Sequence, residues 1–286
     1  MMAEFRIVPV AELSAKQIVA VINDAFGRNE SVDWFRWKHQ DGPWGPSLGV
    51  AAVDRDGPIG VRLLLPWRFR HGDASYLAHR ATEAATIPRA QGRGVFTALN
   101  AWMMDEVRTE LIFSTPNTKS RTGYIKLGWR PIANVGHRWE LITRRNRFGG
   151  SRISTSAGMA TDWTEHALGW RSDPRSGQQY SVTSSAESRL YYRTLTRRGL
   201  RNLAPHAATG ELDQLGDLWR DMLGRTRARM VLRPTTQPVP GPPIRLSLHR
   251  GESLVLGWLP RTSRLLTAAP LVDTIPWTAA DLEGVI

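Results

Sequence analysis

Arg89-Ala-Gln-Gly92-Arg-Gly94 is the stretch whose residue types and spacing point most directly to chemistry. It follows a strand-like run that ends before Pro88 and opens a helical run, Val95–Arg108. Glycines at that junction leave bare backbone N–H groups beside the positive end of a helix dipole, a cradle for a diphosphate or a similar anion. A tight turn that holds no ligand has the same local signature, so the loop needs support from elsewhere in the chain. Other routes to catalysis are closed or weak. There is no cysteine, which removes thiolate metal sites, disulfides and a cysteine nucleophile together. None of the seven histidines sits at metal-ligand spacing from a carboxylate, and no Ser-His-Asp arrangement is readable. His79 and His137 are weak base candidates.

The elements that must position the loop can be read in order. Phe5–Val10 alternates like a first strand, and Ala11–Phe26 has apolar residues at helical spacing with Ser14 as a possible cap. Ser31–Lys38 brings Trp34, Phe35 and Trp37 together, either lining an acceptor pocket or packed as a lid on the core. Leu48–Val53 and Ile59–Phe69 read as a hairpin about the Asp54–Pro58 turn, and Ser75–Ile87 continues the meander into the glycine loop. After the helix come a short strand within Glu110–Ser114, a second helix Thr118–Lys126 stopped at Gly128, and a strand Arg130–Leu141. The succession predicts an α/β architecture, a mixed sheet with helices on its faces.

Length and charge frame this reading. The 286 residues suit two small modules. The N-terminus lacks a signal-peptide pattern, and the apolar run Val61–Trp67 is too short to span a bilayer, so a soluble cytoplasmic protein is expected, with no membrane partner. The formal charge of +12 is carried largely by arginine and favours partners that bear phosphate.

Two segments together carry a family resemblance. Arg89-Ala-Gln-Gly92-Arg-Gly94, preceded by Thr86-Ile-Pro, resembles the Arg/Gln-x-x-Gly-x-Gly/Ala loop of the GNAT superfamily of acyl-CoA N-acyltransferases. Asn117, Ser120, Tyr124, Gly128 and Trp129 are similar to that superfamily's second signature, in the right order and on a helix. The resemblance covers roughly residues 4–142. Gly123 departs from it, because a larger apolar residue is usual before the tyrosine, and it is expected to loosen the helix that aims Tyr124.

The resemblance implies transfer of an acetyl or other acyl group from coenzyme A, without a metal, to a primary amine of a small molecule by direct attack. It assigns the donor's diphosphate to the backbone of Gln91, Gly92, Arg93, Gly94, Val95 and Phe96, with Arg89 and Arg93 as cations. The thioester then lies along the Ala84–Ile87 strand edge, with Ala85, Thr86 and Ile87 as cofactor-binding residues and the backbone of Ala85 or Ile87 polarising its carbonyl. Tyr124 is the implied acid for the leaving thiolate, with Asn117 and Ser120 bonding the pantetheine arm or positioning the tyrosine. Glu83, on the face that strand alternation shares with Ala85, is the candidate base. Its structural alternative is an ion pair, with Arg80 the expected partner.

Residues 143–156, basic and then rich in Gly and Ser, read as a linker, dividing the chain into 1–142 and 157–286. In the second part Thr161–Leu168 and Gly210–Met222 are helix-like. Gln179–Thr183, Leu190–Thr196, Leu200–Pro205, Ile244–His249 and Leu254–Leu259 are strand-like, with a proline-rich break at Pro234–Pro243. Two accounts fit: a degenerate second GNAT-like module closing the acceptor side, or an unrelated α+β packing or dimerisation domain. The arginines also keep two rival functions open. One is a GNAT-fold aminoacyltransferase that takes its donor from aminoacyl-tRNA; the other is a non-catalytic acyl-CoA-binding protein. Acceptor identity and oligomeric state have no readable code.

Overall fold

The computed structural model describes residues 5–142, 158–197, 199–210, 212–236, 247–267 and 272–282. The strands are β1 Arg6–Pro9, β2 Leu48–Asp54, β3 Gly57–His71, β4 Ala74–Thr86, β5 Leu111–Ser114 and β6 Arg130–Leu141, then β7 Ala160–Thr161, β8 Ser181–Ser184, β9 Arg189–Arg197, β10 Leu200–Thr209, β11 Met230–Pro234 and β12 Ser247–Trp258. The helices are α1 Ala15–Phe26, α2 Val32–His39, α3 Val95–Glu106, α4 Thr118–Lys126, α5 Glu165–Arg171 and α6 Leu212–Thr226. No helix among the described residues is long and apolar enough to cross a membrane.

Local chemistry sets the boundaries. Helix α1 starts at Ala15, not Ala11, because Ser14 and Gln17 form a reciprocal capping box and Val10–Glu12 turns as a short 3-10 segment. It ends where Gly27 takes a left-handed φ of 62°. Its buried face, Ile18, Val19, Val21 and Ile22, packs on the sheet. Helix α3 lies close over β3 because Gly60 has no Cβ; one placed there would meet Val95 Cγ1 at 2.7 Å.

All twelve strands belong to one sheet. Its order is β1-β2-β3-β4-β5-β12-β6-β11-β10-β9-β8, with β7 on β3. Pairing is antiparallel except for β4 with β5 and β10 with β11. The second half thus repeats the connectivity of the first: a meander, a helix, then a strand parallel to the last meander strand. The closing strands are exchanged. β12 from the end of the chain inserts between β5 and β6, and β6 pairs with β12 and β11. Ser247–His249 of the first expected strand and Leu254–Trp258 of the second therefore belong to one long strand, interrupted by bulges after His249 and Val255. Strand β11 lies where the sequence shows only an arginine cluster. Val272, Ile275, Trp277 and Leu282 return to the same core as β2–β4. The expected linker at 143–156 lies outside the described residues, as do 237–243 of the proline-rich break and 244–246 of the strand expected after it.

Candidate active site

The donor-side geometry is organised by β4. Its ladder with β5 covers only Ala78–Arg80 against Leu111–Phe113. Ser114 Oγ then donates to Ala81 O at 3.2 Å, and the pairing stops. Beyond that point Ala81–Ala84 and Ser114–Asn117 line a cavity of about 430 Å³. A single strand edge is left there without a partner strand, able to pair with an extended ligand.

Within that edge β4 is bulged. Val61 pairs with Ala85 and Leu63 with Thr82, so two residues span the place of one, and Glu83 takes a φ of 36°. The bulge breaks the simple alternation expected of Glu83 and Ala85: Glu83 and Ala84 line the cavity, while Ala85 is buried against β3. Ile87 donates its N–H to Ile59 O at 3.0 Å. Ala85, two residues earlier on the same strand, points its N–H the same way, which leaves Ala84 and Thr86 facing the open edge. Thr86 O accepts from Gln91 Nε2 at 3.4 Å.

The glycine loop follows. Gly92 and Gly94 both have left-handed φ, 77° and 80°, and a Cβ on either would meet nothing within 4 Å. The first amides of α3 have no partner within the helix and no Cβ crowds the loop, so it suits a diphosphate, although the N–H groups of Gln91 and Arg93 already donate to Pro88 O at 3.3 Å and Ala90 O at 3.4 Å. Arg89 and Arg93 lie beside it but are not idle. Arg89 Nη1 is 2.7 Å and Arg93 Nη1 3.3 Å from Asp54 Oδ2, and the Arg89 hydrogen bond holds the Asp54 carboxyl down to about 2. Asp54 therefore competes with any incoming phosphate.

At the other end stands Tyr124. It is 2% exposed, lines the cavity, and its hydroxyl makes no hydrogen bond to the described residues. Asn117 and Ser120 also line the cavity, and they bond each other: Asn117 Oδ1 accepts from Ser120 N at 3.0 Å, capping α4. Trp129 packs on the Tyr124 ring at 4.7 Å between centroids, and Phe96 stands edge-on at 5.7 Å. Gly123 does not simply loosen the helix, because an added Cβ would meet Phe96 Cε1 at 2.9 Å. The missing side chain admits the ring that joins the glycine loop to the tyrosine.

Glu83 is paired, though not with Arg80. Its Oε1 accepts from Lys38 Nζ at 2.7 Å and its Oε2 lies 3.1 Å from His39 Nε2, with all three side chains at most 5% exposed. Burial alone would raise the carboxyl, but Lys38 and then His39 outweigh it and hold it well below the ordinary range. Arg80 instead donates to Asp281 O and, at 3.2 Å, to Thr115 Oγ1.

Trp34 and Trp37 line the cavity; Phe35 is buried in the core. Trp37 stacks on Trp170, and each indole N–H donates to the other's backbone carbonyl at 2.7 Å. That reciprocal pair ties α2 to α5. The facing wall, Arg171, Gln178, Tyr180, Arg193 and His206, comes from the second half and was not legible in the sequence. Lys38 could have been found: Trp34, Trp37 and Lys38 lie at helical spacing on one face of α2. Arg62, buried beneath Tyr124 at 5.2 Å from the ring centre, offered no signal inside an apolar strand. His79 and His137 are buried and line no part of this cavity. Among the described residues no three His, Asp or Glu side chains gather to hold a metal.

No protein-family model and no curated protein matches the sequence. Solved structures do. A protein of unknown function from Enterococcus faecalis, described as a probable N-acyltransferase, superposes with a TM-score of 0.67 at 10% identity. A GCN5-related N-acetyltransferase from Anabaena variabilis gives 0.66 at 10%, and Eis1 from Mycobacterium abscessus 0.58 at 12%. Each match covers 90% of this chain and 73% of the other. At such identities the likeness is one of fold, and the fold is that of the GCN5-related N-acetyltransferases, spread over both halves of the chain.

Proposed function

We propose that this chain is an N-acyltransferase that moves an acetyl or other acyl group from acyl-CoA to the primary amine of a small molecule. The observation that carries the reading is the open edge of β4, with the glycine loop beyond one end and the Tyr124 hydroxyl in the cavity at the other. The shared fold with N-acetyltransferases supports it.

In this reading the backbone from Gly92 to Phe96 binds the donor's diphosphate, and the pantetheine arm pairs along Ala84–Thr86 like an added strand. The backbone N–H groups on that edge polarise the thioester carbonyl. The acceptor nitrogen attacks the carbonyl carbon, the new C–N bond forms as the C–S bond breaks, and Tyr124 gives its hydroxyl proton to the departing thiolate. Glu83, kept ionised by Lys38 and His39, aligns the amine by hydrogen bonding. Because its affinity for a proton is low, the proton the amine sheds passes on to cavity water.

The test uses the absence of cysteine: a thiol reagent in the assay reads only released coenzyme A. Acyl-CoA with a panel of primary amines should release thiol, and Tyr124→Phe should cut kcat about 100-fold while leaving coenzyme A affinity within threefold. Equal loss of both removes Tyr124 from the chemistry. Coenzyme A binding without turnover on any amine would favour a non-catalytic binder. Salt-dependent tRNA binding without a coenzyme A response would favour an aminoacyl-tRNA donor.

A further inference from the structure

We propose that the acceptor carries an oxyanion, a carboxylate or a phosphate ester, alongside its amine, and that Arg171 is the residue that binds it. The proposal rests on the acyl-transfer reading of the same cavity. Charge is the first ground. Among the described residues two carboxylates, Glu30 and Glu83, line the cavity, while Arg62 and Arg171 line it with no carboxylate paired to either. Both carboxylates are matched within the wall, Glu30 by Arg28 at 4.0 Å and Glu83 by Lys38 at 2.7 Å. The donor does not answer the surplus, since a pantetheine arm is uncharged and the diphosphate belongs at the glycine loop.

Arg171 is the second ground. It ends α5, is 8% exposed, and lines the cavity. Its Nε donates to Ala280 O at 3.1 Å, which fixes the plane of the guanidinium, while its two terminal nitrogens make no hydrogen bond to the described residues. A buried, oriented fork with both outer donors unused matches the two oxygens of a carboxylate or phosphate. The neighbouring His206 reports the same excess of charge: burial and the charges of Arg171 and Arg193 push its imidazole well below the ordinary range, so it is neutral. Arg62 adds to the surplus with Nε and Nη2 buried and unpartnered and only Nη1 engaged, on Thr82 O at 3.2 Å. An anion in this cavity relieves repulsion that a neutral or polycationic amine leaves standing or worsens.

The Trp37–Trp170 pair brings the two groups side by side: Lys38 follows Trp37 and reaches Glu83 beside β4, and Arg171 follows Trp170. Specificity is then a matter of span, an amine and an oxyanion on one small molecule.

Calorimetry on wild-type protein and Arg171→Gln, with and without coenzyme A, tests this with matched probes. These are phenylalanine against phenylalaninamide, and O-phosphoethanolamine against ethanolamine. The anionic member of one pair should bind at least tenfold tighter, and which pair responds distinguishes carboxylate from phosphate. Arg171→Gln should reduce the preference below twofold with coenzyme A affinity unchanged and the melting temperature lowered by only the few degrees that the lost Ala280 hydrogen bond accounts for, and Arg171→Lys should recover part of the preference. Equal or tighter binding of both neutral members, or a preference that survives Arg171→Gln, overturns the proposal. The two readings fail separately. Anion preference without coenzyme A binding or thiol release leaves the anion subsite and removes acyl transfer, whereas thiol release confined to neutral or cationic amines does the reverse.

Discussion

Gly123→Ala is the perturbation that tests most directly how the donor loop and the tyrosine are joined. In an unconstrained helix interior the change should stabilise by about 1 kcal/mol, since Ala is the better helix former. Here the new methyl would stand 2.9 Å from Phe96 Cε1 and 3.4 Å from Cζ, against an ordinary contact of about 3.5–4.0 Å, so the ring must withdraw by several tenths of an ångström. Phe96 is held on its other side by Tyr124, edge-on at 5.7 Å, and overpacking of that kind costs about 1–3 kcal/mol. The net expectation is a loss of roughly 0–2 kcal/mol. Truncating the ring first should reveal the hidden gain: in a Phe96→Leu background Gly123→Ala should stabilise by about 1 kcal/mol. The coupling energy between the two sites is therefore about 1–3 kcal/mol. Urea unfolding of the four proteins in the cycle measures it, and kcat should fall in Gly123→Ala because the displaced ring bears on Tyr124. A stabilisation of a full 1 kcal/mol in the wild-type background, with kcat unchanged, would refute the packing account.

Two other outcomes follow from the electrostatics. Asp54→Asn releases Arg89 and Arg93 towards the glycine loop, so acyl-CoA should bind several-fold tighter with a steeper salt dependence in titrations from 20 to 500 mM salt; unchanged or weaker affinity would mean that Asp54 orders the arginines rather than competing for them. Acid should destabilise the fold from near neutrality. Burial pushes the His79 imidazole down to about 4 from an ordinary value of 6.5, so the unfolded chain binds more protons than the folded one between those values. Stability contributed by neutral His79 is thus complete above pH 6.5 and is lost as pH falls towards 4, by roughly 3 kcal/mol in all. Glu83, whose carboxyl is held low, adds a loss in the same direction below about pH 4.5. Melting temperatures from pH 7.5 to 4.5 should fall accordingly and fall less in His79→Gln; parallel curves would remove His79 from the cause.

The parts of the site that sequence could reveal are those set by local backbone chemistry. A glycine with positive φ, a cap such as Asn117 over Ser120, and a helix stop at Gly128 each leave a mark within a few residues. The meander and the helices that flank the loop were readable for the same reason. Residues brought together across the sheet left no such mark. Asp54 meets Arg89 only because β2 ends beside the loop, Lys38 meets Glu83 only because α2 lies over a bulge in β4, and Arg171 enters the cavity only through the second half. The bulge itself was hidden, since nothing in Thr-Glu-Ala-Ala announces a left-handed residue. β12 was read as two pieces because its bulges interrupt the alternation that marks a strand.

The insertion of β12 also bears on how the protein is made. A chain leaves the ribosome N-terminus first, and by the time Ser114 has emerged the donor loop, α3 and β5 are all outside. β4 is there to pair with one edge of β5, but β12, its neighbour on the other edge, is still unmade. At ~5–20 residues per second the stretch from Ser114 to Trp258 takes roughly 7–30 s to synthesise. Throughout that interval Leu111, Ile112 and Phe113, each with no exposed surface in the finished fold, border an open strand edge. The nascent chain therefore passes through a window in which its stickiest edge awaits its last strand. Conditions that slow synthesis or crowd nascent chains should be felt there, in the yield of soluble protein, before they are felt in the stability of the completed molecule.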